Sequence, residues 1–99
     1  METKSQEAIE TLVHDLIFLP WSDDGEEKLR AHLMVQTINP SSSLPKANKI
    51  DAIVEAIGEA SNIRNEIENH ASNMDDSWKD HLAKMHEMIM SDLRESFVF

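Results

Sequence analysis

Apolar residues recur every three or four positions from Lys46 almost to Phe99, and this stretch holds one glycine, Gly58, and no proline. That period puts them on one face of an α-helix. The stripe runs Ile50, Ile53, Ile57, Ala60, Arg64, Ile67, Ala71 and Met74, so a single charged residue, Arg64, interrupts it. The opposite face reads Glu55, Glu59, Asn62, Glu66, Asn69 and Asn73. Asn73-Met74-Asp75-Asp76-Ser77 combines weak helix formers with good caps and predicts a break. Beyond it Trp78, Leu82, Met85, Ile89, Leu93 and Phe97 share a face of a further helix. Gly58 reads as a place where another backbone approaches closely.

The first half carries the same signal in shorter runs. Ala8, Ile9, Leu12, Val13, Leu16 and Ile17 form one helical face, and Thr3 with Gln6 has capping-box spacing. Helix one is expected from Thr3 to Leu19, ended by Pro20, which lacks an amide hydrogen and disfavours helical geometry before it. Ser22, Asp23 and Asp24 are competent N-caps for a second helix, whose apolar residues are Leu29, Leu33, Met34 and Ile38. That helix is expected to end near Thr37, while β-branched Val35, Thr37 and Ile38 allow residues 31–38 to be extended instead. Residues 39–45, Asn-Pro-Ser-Ser-Ser-Leu-Pro, read as a linker or hinge, and Ser43 is placed to cap the helix that follows.

These elements predict an all-α chain: one helical domain over residues 1–99, built as a small four-helix bundle. Two shorter N-terminal helices pack on two longer C-terminal helices that form an antiparallel pair. Forty per cent hydrophobic residues in 99 positions support one small core. A hinge at 39–45 would also allow helix exchange between copies, so a homodimer is expected.

Charge narrows the function more than composition does. Nine basic residues against nineteen acidic ones give −10, divided as three against eight in residues 1–39 and six against eleven in residues 40–99. A chain this acidic repels phosphate, which removes the main attraction behind nucleic-acid binding. It attracts basic protein surfaces, including a protein's own nucleic-acid groove. Asp23, Asp24, Glu26 and Glu27 fall at a helix start, where they complement the helix dipole, and their spacing does not make a calcium loop. There is no cysteine, no basic leader and no long uninterrupted apolar run, so a cytoplasmic protein free of the membrane is expected.

Candidate chemistry is sparse. Two glycines leave no room for a phosphate-binding loop, and without cysteine or a glycine-rich elbow nothing marks a nucleophile. His70 with Met74 and His81 with Met85 are one turn apart, a pairing open to a soft metal, but methionine at this spacing serves a core. No cofactor or metal is expected.

Arg64-Asn65, with His70 six positions after the arginine, resembles the arginine-to-histidine motif of HEPN-domain ribonucleases. That resemblance implies a helical dimer in which His70 transfers protons and Arg64 stabilises a phosphate across the interface. His81-Leu82-Ala83-Lys84 resembles the histidine and following lysine of histidine phosphotransfer domains, with Met85 where that family has glycine. It implies phosphoryl transfer at His81.

Glu95-Ser96-Phe97-Val98-Phe99 places two of the three phenylalanines in the last three residues, either to fold back on the core or to anchor a partner. A guanidinium in an apolar stripe is tolerable where it faces an acidic partner. Arg64, Ile67, Trp78, Phe97 and Phe99 are therefore the expected dimer or partner interface, and Glu55, Glu59 and Glu66 the acidic recognition face. The leading expectation is a noncatalytic acidic adaptor or inhibitor of a protein with a basic surface. By size and charge it resembles phage-encoded or plasmid-encoded inhibitors of host enzymes that handle nucleic acid.

Overall fold

The computed structural model describes residues 4–70 and 77–99. Four helices follow in order: α1 (Lys4–Phe18), α2 (Asp23–Met34), α3 (Lys46–Asn69) and α4 (Ser77–Ser96). Two short strands, β1 (Thr37–Ile38) and β2 (Phe97–Val98), pair antiparallel, with Thr37 opposite Val98 and Ile38 opposite Phe97. The result is the small four-helix bundle that the apolar periodicity predicts. No helix among the described residues is long and apolar enough to cross a membrane.

In α1 the buried residues Gln6, Ile9, Val13, Leu16 and Ile17 fall at helical spacing and face α2 and α3. The expected cap at Thr3 lies outside the described residues. The Leu19 amide still closes the last turn on the Asp15 carbonyl, at 2.9 Å, and Pro20 follows. Ser22 is the N-cap of α2, its Oγ accepting from the Gly25 amide at 3.2 Å, with Asp23, Asp24 and Glu26 in the first turn. Leu29 and Leu33 bury fully, whereas Met34 stays exposed.

Helix α2 stops at Met34, three residues before the expected Thr37, and only Thr37 and Ile38 of the region 31–38 become a strand. The reason is tertiary. Thr37 and Ile38 gain strand partners from the C-terminus, and the Asn39 amide donates to the Ser96 carbonyl at 2.7 Å. Asn39 Nδ2 also reaches the Glu95 carbonyl at 2.9 Å, and its Oδ1 accepts from the Ser41 amide and hydroxyl. The segment read as a hinge thus starts from a residue fixed to the end of α4.

Helix α3 begins at Lys46 with Pro45 in the N-cap position and no side-chain cap, so Ser43 does not play the part expected of it. Proline at the entry has no amide to satisfy, and the Lys49 amide bonds to the Pro45 carbonyl at 2.9 Å. Ile50, Ile53, Val54, Ile57, Ala60, Ser61 and Arg64 are buried along α3. Gly58 corrects another expectation: a Cβ added there meets nothing within 4 Å, so no backbone packs against it. Positions 71 and 74 of the stripe, and most of the expected break at 73–77, lie outside the described residues.

Helix α4 runs antiparallel to α3, since Lys49 near the start of α3 holds Asp92 near the end of α4 at 2.7 Å. Leu82, Ile89, Met90 and Leu93 bury against the core. Trp78 stays on the surface at 39% exposure, and Phe97 has left the helix for β2. There Phe97 is 2% exposed, with Phe99 packed beside it at a ring distance of 6.4 Å, so the tail folds back on the core.

Candidate functional site

The residues of the arginine-to-histidine motif sit on the last two turns of α3 and its C-cap. Arg64 is 5% exposed, and its guanidinium bonds to Glu68 Oε2 at 2.8 Å and Asn65 Oδ1 at 2.7 Å. Its Nε is buried without a hydrogen-bond partner. His70, the C-cap residue, is exposed and lies 3.6 Å from Glu66. An arginine that stabilises a transferring phosphate must reach it with free N–H groups. Here two of those N–H groups already serve the chain's own carboxylate and amide.

The expected interface residues divide by depth. Arg64 and Phe97 are inside the chain's own core and present almost no surface, while Ile67 and Phe99 are half-buried. Trp78 is exposed, and the His81 ring meets its edge at 6.3 Å. His81 and Lys84 are both on the solvent side of α4.

Glu55, Glu59 and Glu66 are exposed, with Asn62 and Asn69 exposed between and beyond them. Their spacing of three and four residues makes one line along α3, because the helix buries Ile53, Ile57 and Arg64 on its other side. Asp51 extends the line toward the N-terminus, but Arg30 holds it at 2.7 Å. Glu66 has His70 one turn on, whereas Glu55 and Glu59 have no ion pair among the described residues. The carboxylates nearest the middle of α3 therefore face solvent uncompensated.

A second arrangement lies on the opposite helices and was not foreseen from sequence. Helices α1 and α4 both pack on α3 but barely meet each other, leaving an open seam. A cavity of about 400 Å³ occupies it, bounded by Glu7, Glu10 and His14 of α1 and by His86, Met90 and Arg94 of α4. Arg94 donates from Nε to Glu10 Oε1 at 2.7 Å across the seam. The His14 ring lies 4.8 Å from Phe18 and 5.8 Å from His86, which is itself 5.4 Å from Phe18.

His86 Nε2 is buried without a hydrogen-bond partner. Burial pushes the His86 pKa below the usual imidazole value, and His14 beside it pushes the same way. Glu87 and Glu10 oppose the shift, and Arg94 adds to it. The site therefore disfavours a charge on His86 and carries the carboxylates Glu7 and Glu10 beside it. Among the described residues, no group of three or more histidine or carboxylate side chains converges to hold a metal ion.

Spacing alone shows His14 with Phe18, and His86 with Met90, one turn apart at the edges of their apolar stripes. It does not show that these two edges meet. Comparison with protein families, with curated proteins and with solved structures finds no match.

Proposed function

We propose that this chain is a noncatalytic protein-interaction module, an adaptor or inhibitor that engages a basic surface of a partner protein through the outer face of α3. The observation that carries this reading is the line of exposed carboxylates Glu55, Glu59 and Glu66, two of them without an ion pair among the described residues. Such a line steers a positively charged surface toward the helix and repels phosphate. Asn62 between the carboxylates and Asn69 beyond them add donors and acceptors that fix register. On this reading the partner is a protein with a basic groove or face, such as one that handles nucleic acid, and its own phosphate-binding surface is the natural target. Any homodimer contact would fall first to Trp78, at 39% the most exposed member of the expected interface.

The burial of Arg64 supports a noncatalytic role, because a ribonuclease of the arginine-histidine type needs that guanidinium at its substrate. The test is affinity capture from the native host at two salt concentrations, with the parent chain and a triple variant, Glu55→Lys, Glu59→Lys, Glu66→Lys. A protein retained by the parent at low salt and lost from the variant supports the reading. Cleavage of RNA by the purified chain, abolished by Arg64→Ala or His70→Ala in a folded protein, overturns it.

A further inference from the structure

Trp78, His81, Met85, Met88, Asp92 and Glu95 follow one another along α4 at alternating steps of three and four residues. That spacing puts them on one flank of the helix. None of the six is buried, and Met88 is 71% exposed, an unusual place for a large apolar side chain. The Trp78 and His81 rings, 6.3 Å apart, show the first step of the stripe directly. We propose that this flank is the contact surface of a symmetric dimer, in which α4 of one chain packs antiparallel on α4 of a second copy.

The order of residues within the stripe names the occupant. Its first two members carry N–H donors, an indole and an imidazole, its last two are carboxylates, and two methionines stand between. A two-fold axis between Met85 and Met88 sets Met85 against Met88, His81 against Asp92 and Trp78 against Glu95, each pair occurring twice. Every step then joins a donor to an acceptor or one apolar group to another. A parallel pairing would instead stack Asp92 on Asp92 and Glu95 on Glu95, which repel.

The acceptors are available. Asp92 takes Lys49 Nζ at 2.7 Å and Ser96 Oγ at 3.2 Å through Oδ1, which leaves Oδ2 for a further donor. The Glu95 carboxylate has no ion pair among the described residues. Methionine, unbranched and polarisable, adapts to a copy of itself at the centre.

Helix α3 widens the apolar centre. Lys49, Ala56 and Ile63 recur every seven residues and share the side of α3 that the Lys49 to Asp92 pair fixes beside the stripe. Because the two helices are antiparallel, seven residues along α3 match seven back along α4, which brings Ala56 level with Met85 and Ile63 level with Trp78. Both α3 residues are half-buried, so each keeps apolar surface for a neighbour.

Charge also favours this flank for a second acidic chain. Helix α4 carries three basic against four acidic residues, a smaller imbalance than α1 with one against three, α2 with two against four or α3 with three against five. Like charge keeps two copies apart on the other helices more than here. The contact is separate from the carboxylate line of α3 and does not depend on it.

Sedimentation velocity of the full chain at increasing concentration should show passage from one to two chains per particle, since a contact of this size dissociates on dilution. Met88→Lys, at an exposed site outside the core, should raise the dissociation constant at least about tenfold by bringing two cations together at the axis. Met34→Lys, at 57% exposure on α2, should leave it unchanged. In a mixed sample of labelled and unlabelled chains, isotope-filtered NMR should connect the Met85 methyl to Met88, and the Trp78 ring to Glu95, of the second copy. A single chain per particle at every concentration, a dimer indifferent to Met88→Lys, or contacts between copies confined to other faces would overturn the proposal. A monomer would leave the α3 reading standing, and failure to capture a basic partner would leave the dimer standing.

Discussion

Arg94 donates from Nε to Glu10 Oε1 at 2.7 Å, joining the last turns of α4 to the middle of α1 across 84 residues of sequence. Glu10 is largely buried, at 15% side-chain exposure, while Arg94 is half-exposed. The pair bridges α1 and α4, which pack less closely on each other than either does on α3. Replacing both residues, singly and together, in a double-mutant cycle read by urea unfolding should give a coupling energy of about 0.5–1 kcal/mol. A coupling near zero would mean that the seam stays shut, or open, without this ion pair.

His86 makes stability depend on pH. Its folded-state pKa lies below the unfolded value of about 6.5 because burial and His14 disfavour the imidazolium, although Glu87 and Glu10 act against this. Below 6.5 the unfolded chain therefore binds the proton more readily, so the stability held above that pH is lost as pH falls toward the folded pKa. The groups facing His86 are His14 and Glu10 from α1 and Glu87 and Arg94 from α4. The thermal midpoint should drop between pH 7.5 and pH 5, and His86→Leu should flatten that drop relative to the parent. An unchanged slope in the variant would assign the acid sensitivity to the other histidines.

Arg64 separates a structural from a chemical role. Its stem fills the core, its guanidinium reaches an exposed Glu68, and its Nε is unsatisfied. Arg64→Ala should cost about 2 kcal/mol through lost packing. Arg64→Met keeps a long stem and removes the unsatisfied donor, so its stability should stay within about 1 kcal/mol of the parent or exceed it. Chemical denaturation of both variants decides this, and a methionine variant as unstable as the alanine one would show that the polar contacts hold the end of α3.

Gly58 is a site for improvement. It lies inside α3 with open space where a Cβ would be, so Gly58→Ala should raise stability by about 0.5–1 kcal/mol through helix propensity and a less flexible unfolded chain. A loss of stability in a urea titration would mean that the position needs glycine for a reason other than packing.

Phe97 should be the costly residue of the tail. It is 2% exposed and opposite Ile38 in the small sheet, so Phe97→Ala should cost about 3–5 kcal/mol, a large share of what a small domain has. Val98→Ala, at a half-exposed site, should cost well under half as much. Equal losses would place the contribution of the tail in its strand pairing instead of the ring.

The helices were legible because each depends on a local rule. Ile9, Val13 and Leu16, and again Ile50, Ile53 and Ile57, repeat at the period of an α-helix, and Pro20, Ser22 and Pro45 mark where helices end or begin. The exposed line of Glu55, Glu59 and Glu66 was legible for the same reason, as the face opposite a buried stripe. What sequence alone determined is thus the helical architecture, the acidic balance and which face of α3 stays wet, since all three follow from residue order and charge. Only the tertiary structure decided that Thr37 and Ile38 leave helical geometry to pair with Phe97 and Val98, and that the edges carrying His14 and His86 meet. Each of these depends on groups distant in sequence coming together, and no local propensity encodes which pairs will meet.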